Sequence, residues 1–257
     1  MRQYHVQLDE GEIGGYVLLP GDPGRCELIA SRLDGGRHVR SNREYTTWTG
    51  SLDGVAVSVT STGIGGPSTA IAAEELIRLG AHTLVRVGTC GAMDPDLRFG
   101  DLVIAQAAVR NEGTSPQYAP LAFPAVADLD VVAALRDAAR DNGRAHRIGV
   151  VVSSDAFYPE VDPPCSPVES ELRARWDAWV RLRCLAAEME CSALFTIAAL
   201  RGTRAGAILA VVNEAAGGAE AMPEARELPL PAMLDTAVAS IRRLIAAGVS
   251  SPLTQQR

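Results

Sequence analysis

The sequence predicts a single-domain α/β protein with three layers, α/β/α, around a mixed, mostly parallel central sheet. Short apolar runs rich in β-branched residues alternate with segments of helical periodicity along the chain. These runs are almost continuously apolar, which is typical of strands covered by helices on both faces. The 257 residues contain no repeat, low-complexity segment or linker that would divide them. We therefore expect one domain over residues 1–257.

The elements follow from these patterns in chain order. Strands are predicted at Tyr16–Leu19, Val55–Ser61, Thr83–Val87, Leu102–Val109, Ile148–Val152, Leu185–Met189 and Ala207–Val212. Helices are predicted at Thr69–Leu79, Leu129–Asn142, Glu169–Val180, Ser192–Leu200 and Pro231–Gly248. A capping box from Ser166 to Glu169, with proline at the first helical position, indicates where one helix begins. The longest irregular stretch, Ala215–Pro229, is predicted to be a mobile flap.

Charge and composition exclude several classes of function. A net charge of −7 does not attract polyanions, so we expect no nucleic-acid partner. The apolar stretches are too short or too charged to span a membrane, and the first residues lack the apolar core of a signal peptide, so we expect a cytoplasmic protein without a membrane partner. All 24 basic side chains are arginine, which excludes P-loop and Schiff-base lysines. The five cysteines lack metal-site spacing and are interpreted as reduced thiols.

Glycine-rich clusters follow predicted strands at the end where open α/β sheets bind ligands. Pro20–Arg25 opens a helix, where Gly21 lets a backbone N–H approach an anion and Arg25 supplies further donors. A plain turn is the alternative. The segment Thr62–Ser68 resembles a dinucleotide-binding fingerprint, but its third glycine is misplaced and no acidic residue ends a strand about 20 residues later. A nucleotide cofactor is therefore not predicted there.

Charged residues on two predicted strands indicate a buried polar site. Arg86 lies in an otherwise apolar strand, where it requires an anion, which is either a buried carboxylate or a ligand. Thr89, just beyond it, offers a hydroxyl group. Glu188 and Glu190 lie two residues apart on a buried-looking strand, so their side chains share one face. Such a pair suits the recognition of vicinal hydroxyls or acid/base chemistry.

Taken together, these clusters resemble one family. In chain order, GDPGR, SNREYTTW, STGIGGPSTAIAAEEL, RVGTCGAM, a Phe-Tyr-Pro segment and EMEC are similar to the hexameric nucleoside phosphorylases, in particular to the uridine phosphorylase branch. The resemblance runs from about His5 to the C-terminal helix. It implies phosphate-dependent cleavage of a nucleoside to a free base and a pentose 1-phosphate, without an organic cofactor. It also implies a homo-oligomer built from dimers, with a hexamer as the expected state.

The resemblance assigns roles to individual residues. It implies a phosphate site formed by Gly21, Arg25, Arg86, Thr89 and, from a neighbouring subunit, Arg43. It implies nucleoside binding by Phe157, Glu188, Met189, Glu190, Val212, Asn213 and, across a dimer interface, His5. It implies a monovalent-cation site, suited to K⁺, at that interface, formed by Glu44, Ile64 and Ser68. The presence of Arg25, Arg43 and Arg86 favours phosphorolysis over hydrolysis by a related nucleosidase.

Two departures from the uridine pattern concern the base. Uridine phosphorylases carry a Gln-x-Arg clamp after Phe-Tyr-Pro, but Val161 and Pro163 stand there and neither side chain can hydrogen-bond. In Val212-Asn213-Glu214, glutamate replaces an arginine of the uridine branch. Glu214 could protonate N7 of a departing purine, so it joins Arg86 and Glu190 as a predicted catalytic residue. The sequence therefore favours a purine or modified base, with uridine as the alternative.

Overall fold

The computed structural model describes residues 1–214 and 229–248. The strands of this part are β1 (Tyr16–Leu19), β2 (Asp34–Asn42), β3 (Tyr45–Leu52), β4 (Val55–Thr60), β5 (Thr83–Ala92), β6 (Leu102–Asn111), β7 (Ala125–Val126), β8 (His146–Ser154), β9 (Ala186–Glu188) and β10 (Arg204–Asn213). The α-helices are α1 (Gly24–Ala30), α2 (Gly66–Arg78), α3 (Leu129–Asp141), α4 (Tyr158–Val161), α5 (Glu169–Arg181), α6 (Cys191–Arg201) and α7 (Leu230–Ala246). Short 3₁₀ helices lie at Ser115–Gln117 and Pro163–Cys165.

The strands form one mixed sheet that closes on itself at one side. Strand β5 pairs in parallel with β1 and β10 and antiparallel with β9. From β10 the sheet continues antiparallel to β6, then parallel to β8 and to β9, which returns to β5. On the other side of β5, strand β1 pairs in parallel with β4, and β4, β3 and β2 follow as antiparallel neighbours. The predicted α/β fold with a mixed sheet is confirmed.

Two apolar layers cover the two faces of the sheet. Strand β1 shows the arrangement, because Val17 and Leu19 join one buried cluster while Tyr16 and Leu18 join the other. Alternate side chains of a strand point to opposite faces, so a strand that is apolar throughout needs cover on both. Residues of α2 and α6 complete the first cluster, and residues of α1, α3 and α7 complete the second. This is the predicted three-layer arrangement.

The hairpin formed by β2 and β3 was not predicted. Its turn holds Arg43 and Glu44, and Arg43 has a φ of 55°. Strand β2 is the mostly exposed edge of the sheet, and strand β3 carries threonine, serine and glycine between its buried positions. An exposed edge strand needs no continuous apolar run, so apolar patterning does not predict this hairpin.

The structure differs from the sequence prediction at one helix start. Helix α5 begins at Glu169, but its N-cap is Val168, and Pro167 lies before the helix. The Ser166 hydroxyl accepts from the Val168 N–H at 3.3 Å, which forms a turn ahead of the helix rather than a capping box. The flap predicted at Ala215–Pro229 lies, apart from Pro229, outside the described residues. Among the described helices, none is long and apolar enough to cross a membrane.

Candidate active site

A cavity of about 1070 Å³ opens where the carboxyl ends of β1, β5 and β10 meet the junction of β9 and α6. Parallel strands end at the same edge of a sheet, so the polar clusters that follow them in sequence become neighbours in space. The predicted site residues that line this cavity are Gly21, Arg25, Glu44, Ile64, Ser68, Arg86, Thr89, Phe157, Glu188, Met189, Glu190, Val212, Asn213 and Glu214. Two predicted site residues, His5 and Arg43, do not line it.

Arg86 lies at the centre of the site, on β5, with 6% of its surface exposed. Its Nε donates to Glu188 Oε2 at 3.0 Å, and its Nη2 forms a close ion pair with Glu190 Oε2. Burial acts to lower the pKa of Arg86, but the charges of Glu190 and Glu188 outweigh it and raise that pKa above its ordinary value. A methyl group on Gly88 would stand 2.7 Å from Arg86 Nη2, so glycine there makes room for the guanidinium. The anion that the sequence required for Arg86 is therefore a carboxylate pair.

Glu188 is held by its surroundings on every side. Its carboxylate accepts the backbone N–H groups of Glu190 at 2.8 Å and Cys191 at 3.0 Å, and it contacts the Ser153 hydroxyl. Together with the bond to Arg86, these contacts satisfy a buried charge and fix the β9–α6 junction. Glu188 thus positions Arg86, and its carboxylate oxygens are already occupied by protein donors rather than open to a ligand.

The carboxylate of Glu190 links Arg86 to the loop before α2. Its Oε1 accepts from the Gly65 N–H at 2.6 Å, while its Oε2 pairs with Arg86. Burial raises the pKa of the Glu190 carboxyl, and the charge of Arg86 opposes that shift. Gly65 has a φ of 91°, a conformation that favours glycine and that turns its N–H toward the carboxylate. Glu190 is therefore oriented by backbone as well as by side chain.

One end of the cavity is suited to an anion. Arg25 reaches it from α1 with 11% of its side chain exposed, and its buried Nε has no hydrogen-bond partner among the described residues. Burial lowers the pKa of Arg25, Asp22 at 3.8 Å raises it, and the charge of Arg86 lowers it further. Two guanidiniums that repel each other, one with an unused donor, are both stabilised when an anion lies between them. Gly21 and Thr89 also line the cavity.

The predicted nucleoside-binding residues Phe157, Met189 and Val212 line the cavity as well. The Phe157 side chain is 43% exposed at the cavity wall. Glu214 is half-buried and accepts the Phe99 N–H at 3.0 Å through its Oε1. The structure places Glu214 on the cavity wall.

His5 and Arg43 do not line this cavity. His5 Nδ1 is 2.7 Å from Glu75 Oε1, and the backbone N–H groups of His5 and Val6 donate to the same carboxylate. Arg43 is exposed at the tip of the β2–β3 hairpin. Neither residue completes the site of its own chain.

The predicted cation ligands do converge. The Ser68 hydroxyl donates to the Ile64 carbonyl at 3.1 Å. An added methyl group on Gly63 would stand 2.8 Å from Glu44 Cγ and 3.4 Å from Ser68 Oγ, so these two side chains meet across that glycine. A carboxylate, a carbonyl and a hydroxyl are oxygen ligands of the kind that hard cations prefer. The residues present therefore fit a monovalent cation.

Sequence reasoning missed several residues of the cavity wall. Asn111 at the end of β6, Glu160 on α4 and Arg175 on α5 all line the cavity. Two tryptophans of α5, Trp176 and Trp179, line it as well. The position of Glu160 directly after Phe-Tyr-Pro was an available indication. The others come from elements whose packing brings them to the site.

The closed sheet and this cavity together define a class of protein. A buried arginine–carboxylate cluster and a second buried arginine with an unused donor, in one large cavity, are suited to an enzyme that binds an anionic co-substrate. Residues 16–247 match the model of the phosphorylase superfamily, and the chain belongs to that superfamily. The predicted family is therefore confirmed.

Curated relatives cover most of the chain. It is 47% identical to a uridine phosphorylase of Treponema pallidum over 95% of this chain and 94% of that protein. It is 48% identical to a uridine phosphorylase of Thermococcus kodakarensis over 81% of this chain and 76% of that protein. It is 42% identical to a guanosine phosphorylase of Halorubrum lacusprofundi over 89% of this chain and 90% of that protein.

Proposed function

We propose that this enzyme is a nucleoside phosphorylase that uses inorganic phosphate to cleave the N-glycosidic bond of a nucleoside, releasing the base and a pentose 1-phosphate. The observation that carries the proposal is the arrangement of Arg25 and Arg86 in one cavity, with an unused buried donor on Arg25 and with Arg86 paired to Glu190. The family of the chain supports the same activity.

The geometry suggests how the reaction proceeds. Cleavage of the glycosidic bond places positive charge on C1′ of the sugar and negative charge on the base. Phosphate held by Arg25, Arg86 and Thr89 stabilises the positive carbon and then attacks it. The donors are already in place, so they need no reorganisation during the reaction. Glu190 and Met189 hold the ribose, with the carboxylate accepting from sugar hydroxyls, and Glu188 keeps Arg86 in position.

Phosphorolysis is distinguished from hydrolysis by the product and by the need for phosphate. We expect base release from uridine only when inorganic phosphate is present, together with stoichiometric pentose 1-phosphate. Equal rates of base release in phosphate-free buffer would identify a hydrolytic nucleosidase instead.

The base that we propose first is uracil. The sequence favoured a purine or modified base, but the uridine phosphorylases among the relatives support the uridine alternative better. A 6-oxopurine nucleoside is the second candidate, supported by the guanosine phosphorylase relative and by the carboxylate of Glu214 in the cavity wall. This order of base preference is tested by incubating uridine, thymidine, inosine, guanosine and adenosine with phosphate and measuring the release of base from each.

We also propose a homo-oligomer built from dimers, with a hexamer as the expected size. The location of His5 and Arg43 outside the cavity of their own chain supports it, because both are residues predicted to act on a neighbouring site. A K⁺ ion at Glu44, Ile64 and Ser68 would be held near that interface. Five free cysteines, four of them buried, support a location in the reducing cytoplasm.

A further inference from the structure

The mechanism leaves one polar part of the cavity unused. We name it the base-edge cluster and define it by Asn111, Glu160 and Arg175, all of which line the cavity. The phosphate end and the ribose residues lie on β1, β5, β9 and their following loops, whereas the base-edge cluster comes from β6, α4 and α5. The cluster shares these elements with Phe157, the N-cap residue of α4. It therefore belongs to the end of the cavity that the base occupies.

Hydrogen bonds join the base-edge cluster into one network. Asn111 Nδ2 donates to the Ser154 hydroxyl oxygen at 3.1 Å, and Asn111 Oδ1 accepts from Arg175 Nη1 at 3.5 Å. The backbone N–H of Glu160 donates to the Phe157 carbonyl at 3.1 Å, which sets the carboxyl group next to that ring. Burial raises the pKa of the Glu160 carboxyl, while Ser154 and the charge of Arg175 act in the opposite direction. An acceptor and a cationic donor are thus held side by side on the cavity wall.

This pairing of an acceptor with a cationic donor is complementary to the lactam edge of a base. A lactam presents a ring N–H next to a carbonyl oxygen, so the N–H donates to a carboxylate and the carbonyl accepts from a guanidinium or an amide. Uracil, hypoxanthine and guanine carry such an edge. Cytosine and adenine present an unprotonated ring nitrogen at this position. That nitrogen and the Glu160 carboxylate are both acceptors, so no hydrogen bond forms between them and their lone pairs repel. Buried polar groups left unpaired in this way penalise the wrong base strongly.

We propose that Glu160, assisted by Arg175 and Asn111, determines specificity for nucleosides whose base carries a lactam N–H. The cluster takes the place of the Gln-x-Arg clamp that Val161 and Pro163 cannot form. This inference rests on the proposed phosphorolysis of nucleosides and names the substrate class for the same site.

The test compares substrates that differ only at the lactam nitrogen. For the wild-type enzyme with saturating phosphate, kcat/KM is measured for uridine and 3-methyluridine, and for inosine and 1-methylinosine. Methylation removes the N–H, and we expect it to lower kcat/KM about 10- to 100-fold, as for the loss of a hydrogen bond to a charged group. In Glu160→Ala the ratio within each pair should fall to about one. The ratio of kcat/KM for uridine to kcat/KM for inosine shows which ring the site prefers.

Two further variants complete the design. Glu160→Gln retains an acceptor oxygen, so it should recover most of the selectivity for the unmethylated substrate even if Glu160→Ala folds poorly. Asp162→Ala removes an exposed carboxylate of the same segment that does not line the cavity, and it should keep the wild-type ratio.

The inference is overturned if Glu160→Ala keeps the wild-type methylation ratio, or if the wild-type enzyme cleaves cytidine or adenosine as fast as uridine or inosine. These outcomes presuppose phosphorolysis. An enzyme that releases no base from any nucleoside in the presence of phosphate defeats the proposed function itself, so the two failures are distinguishable.

Discussion

Arg25 and Arg86 line the same cavity, but they differ in how their charges are paired within the protein. Arg86 is paired with two buried carboxylates, so its charge is part of the folded structure. Arg25 is desolvated, repelled by Arg86 and paired only at 3.8 Å with Asp22. Arg86 therefore stabilises the fold as well as the site. Arg25 carries a charge that its surroundings in the folded protein disfavour.

We expect Arg25→Ala to lose most turnover without losing stability. The lost bond is one to a buried anion, which typically contributes about 2–5 kcal/mol, or roughly 30- to 5,000-fold in kcat/KM. Because burial and Arg86 lower the pKa of Arg25, its removal relieves an unfavourable charge in the fold. Steady-state kinetics and thermal unfolding measure the two effects. Turnover close to that of the wild type would contradict a phosphate-binding role.

Arg86→Ala should lose both turnover and stability. Removing it leaves Glu188 and Glu190 buried without a cation, and breaking a buried pair in this way costs about 3–5 kcal/mol. The free energy of unfolding in urea measures this loss. Arg136→Ala, which removes an exposed arginine beside Asp137, is the matched control and should change neither quantity. Equal stability of Arg86→Ala and this control would show that the carboxylates do not depend on Arg86.

Glu214 provides a test of the base at the residue scale. A carboxyl group beside a departing purine can deliver a proton to N7, and general acid catalysis typically contributes about 10²–10⁴-fold. If a 6-oxopurine is the substrate, we expect Glu214→Gln to lower kcat for inosine far more than kcat for uridine. If both fall equally or neither changes, Glu214 serves only as the acceptor for the Phe99 N–H seen in the structure.

At the scale of elements, apolar patterning predicts the buried strands and helices but not the polar edge of the sheet. Strand β1 is found at its predicted bounds, because each of its side chains is buried on one face or the other. The β2–β3 hairpin was missed because exposed residues need no apolar pattern. The site residues likewise fall into those that the sequence predicts and those that it does not. Clusters at strand ends could be predicted from sequence, whereas Glu160 and Arg175 meet only through the packing of α4 and α5.

Two side chains hold the backbone of the N-terminal segment, Glu75 of α2 and Asn42 of β2, whose Nδ2 donates to the His5 carbonyl at 2.7 Å. Glu75 is buried and accepts from the backbone N–H groups of His5 and Val6 and pairs with the His5 ring. We expect Glu75→Ala to release residues 1–9, because it removes several hydrogen bonds to a charged acceptor, each of which contributes about 1.5–3 kcal/mol. Hydrogen exchange should show faster exchange confined to this segment. Exchange unchanged there would mean that burial of Val6 and Leu8 is sufficient to hold it.

At the scale of the whole molecule, the site of one chain lacks two of its predicted residues. His5 and Arg43 lie outside the cavity that holds Arg25 and Arg86, so the proposed enzyme is complete only if a second copy supplies them. A two-fold dimer does this reciprocally, because each surface patch meets its own copy. The exposed hairpin tip with Arg43 is the element that would reach the neighbouring site.

Subunit mixing tests this arrangement directly. Arg25→Ala and Arg43→Ala should each be nearly inactive alone, since every site then lacks one phosphate ligand. When the two variants are co-expressed, half of the dimers are mixed, and in each mixed dimer one site receives both arginines while the other receives neither. Activity should therefore recover to about a quarter of the wild-type level in a two-fold dimer. If Arg43 acted within its own chain, no mixed dimer would contain an intact site, and co-expression would recover nothing.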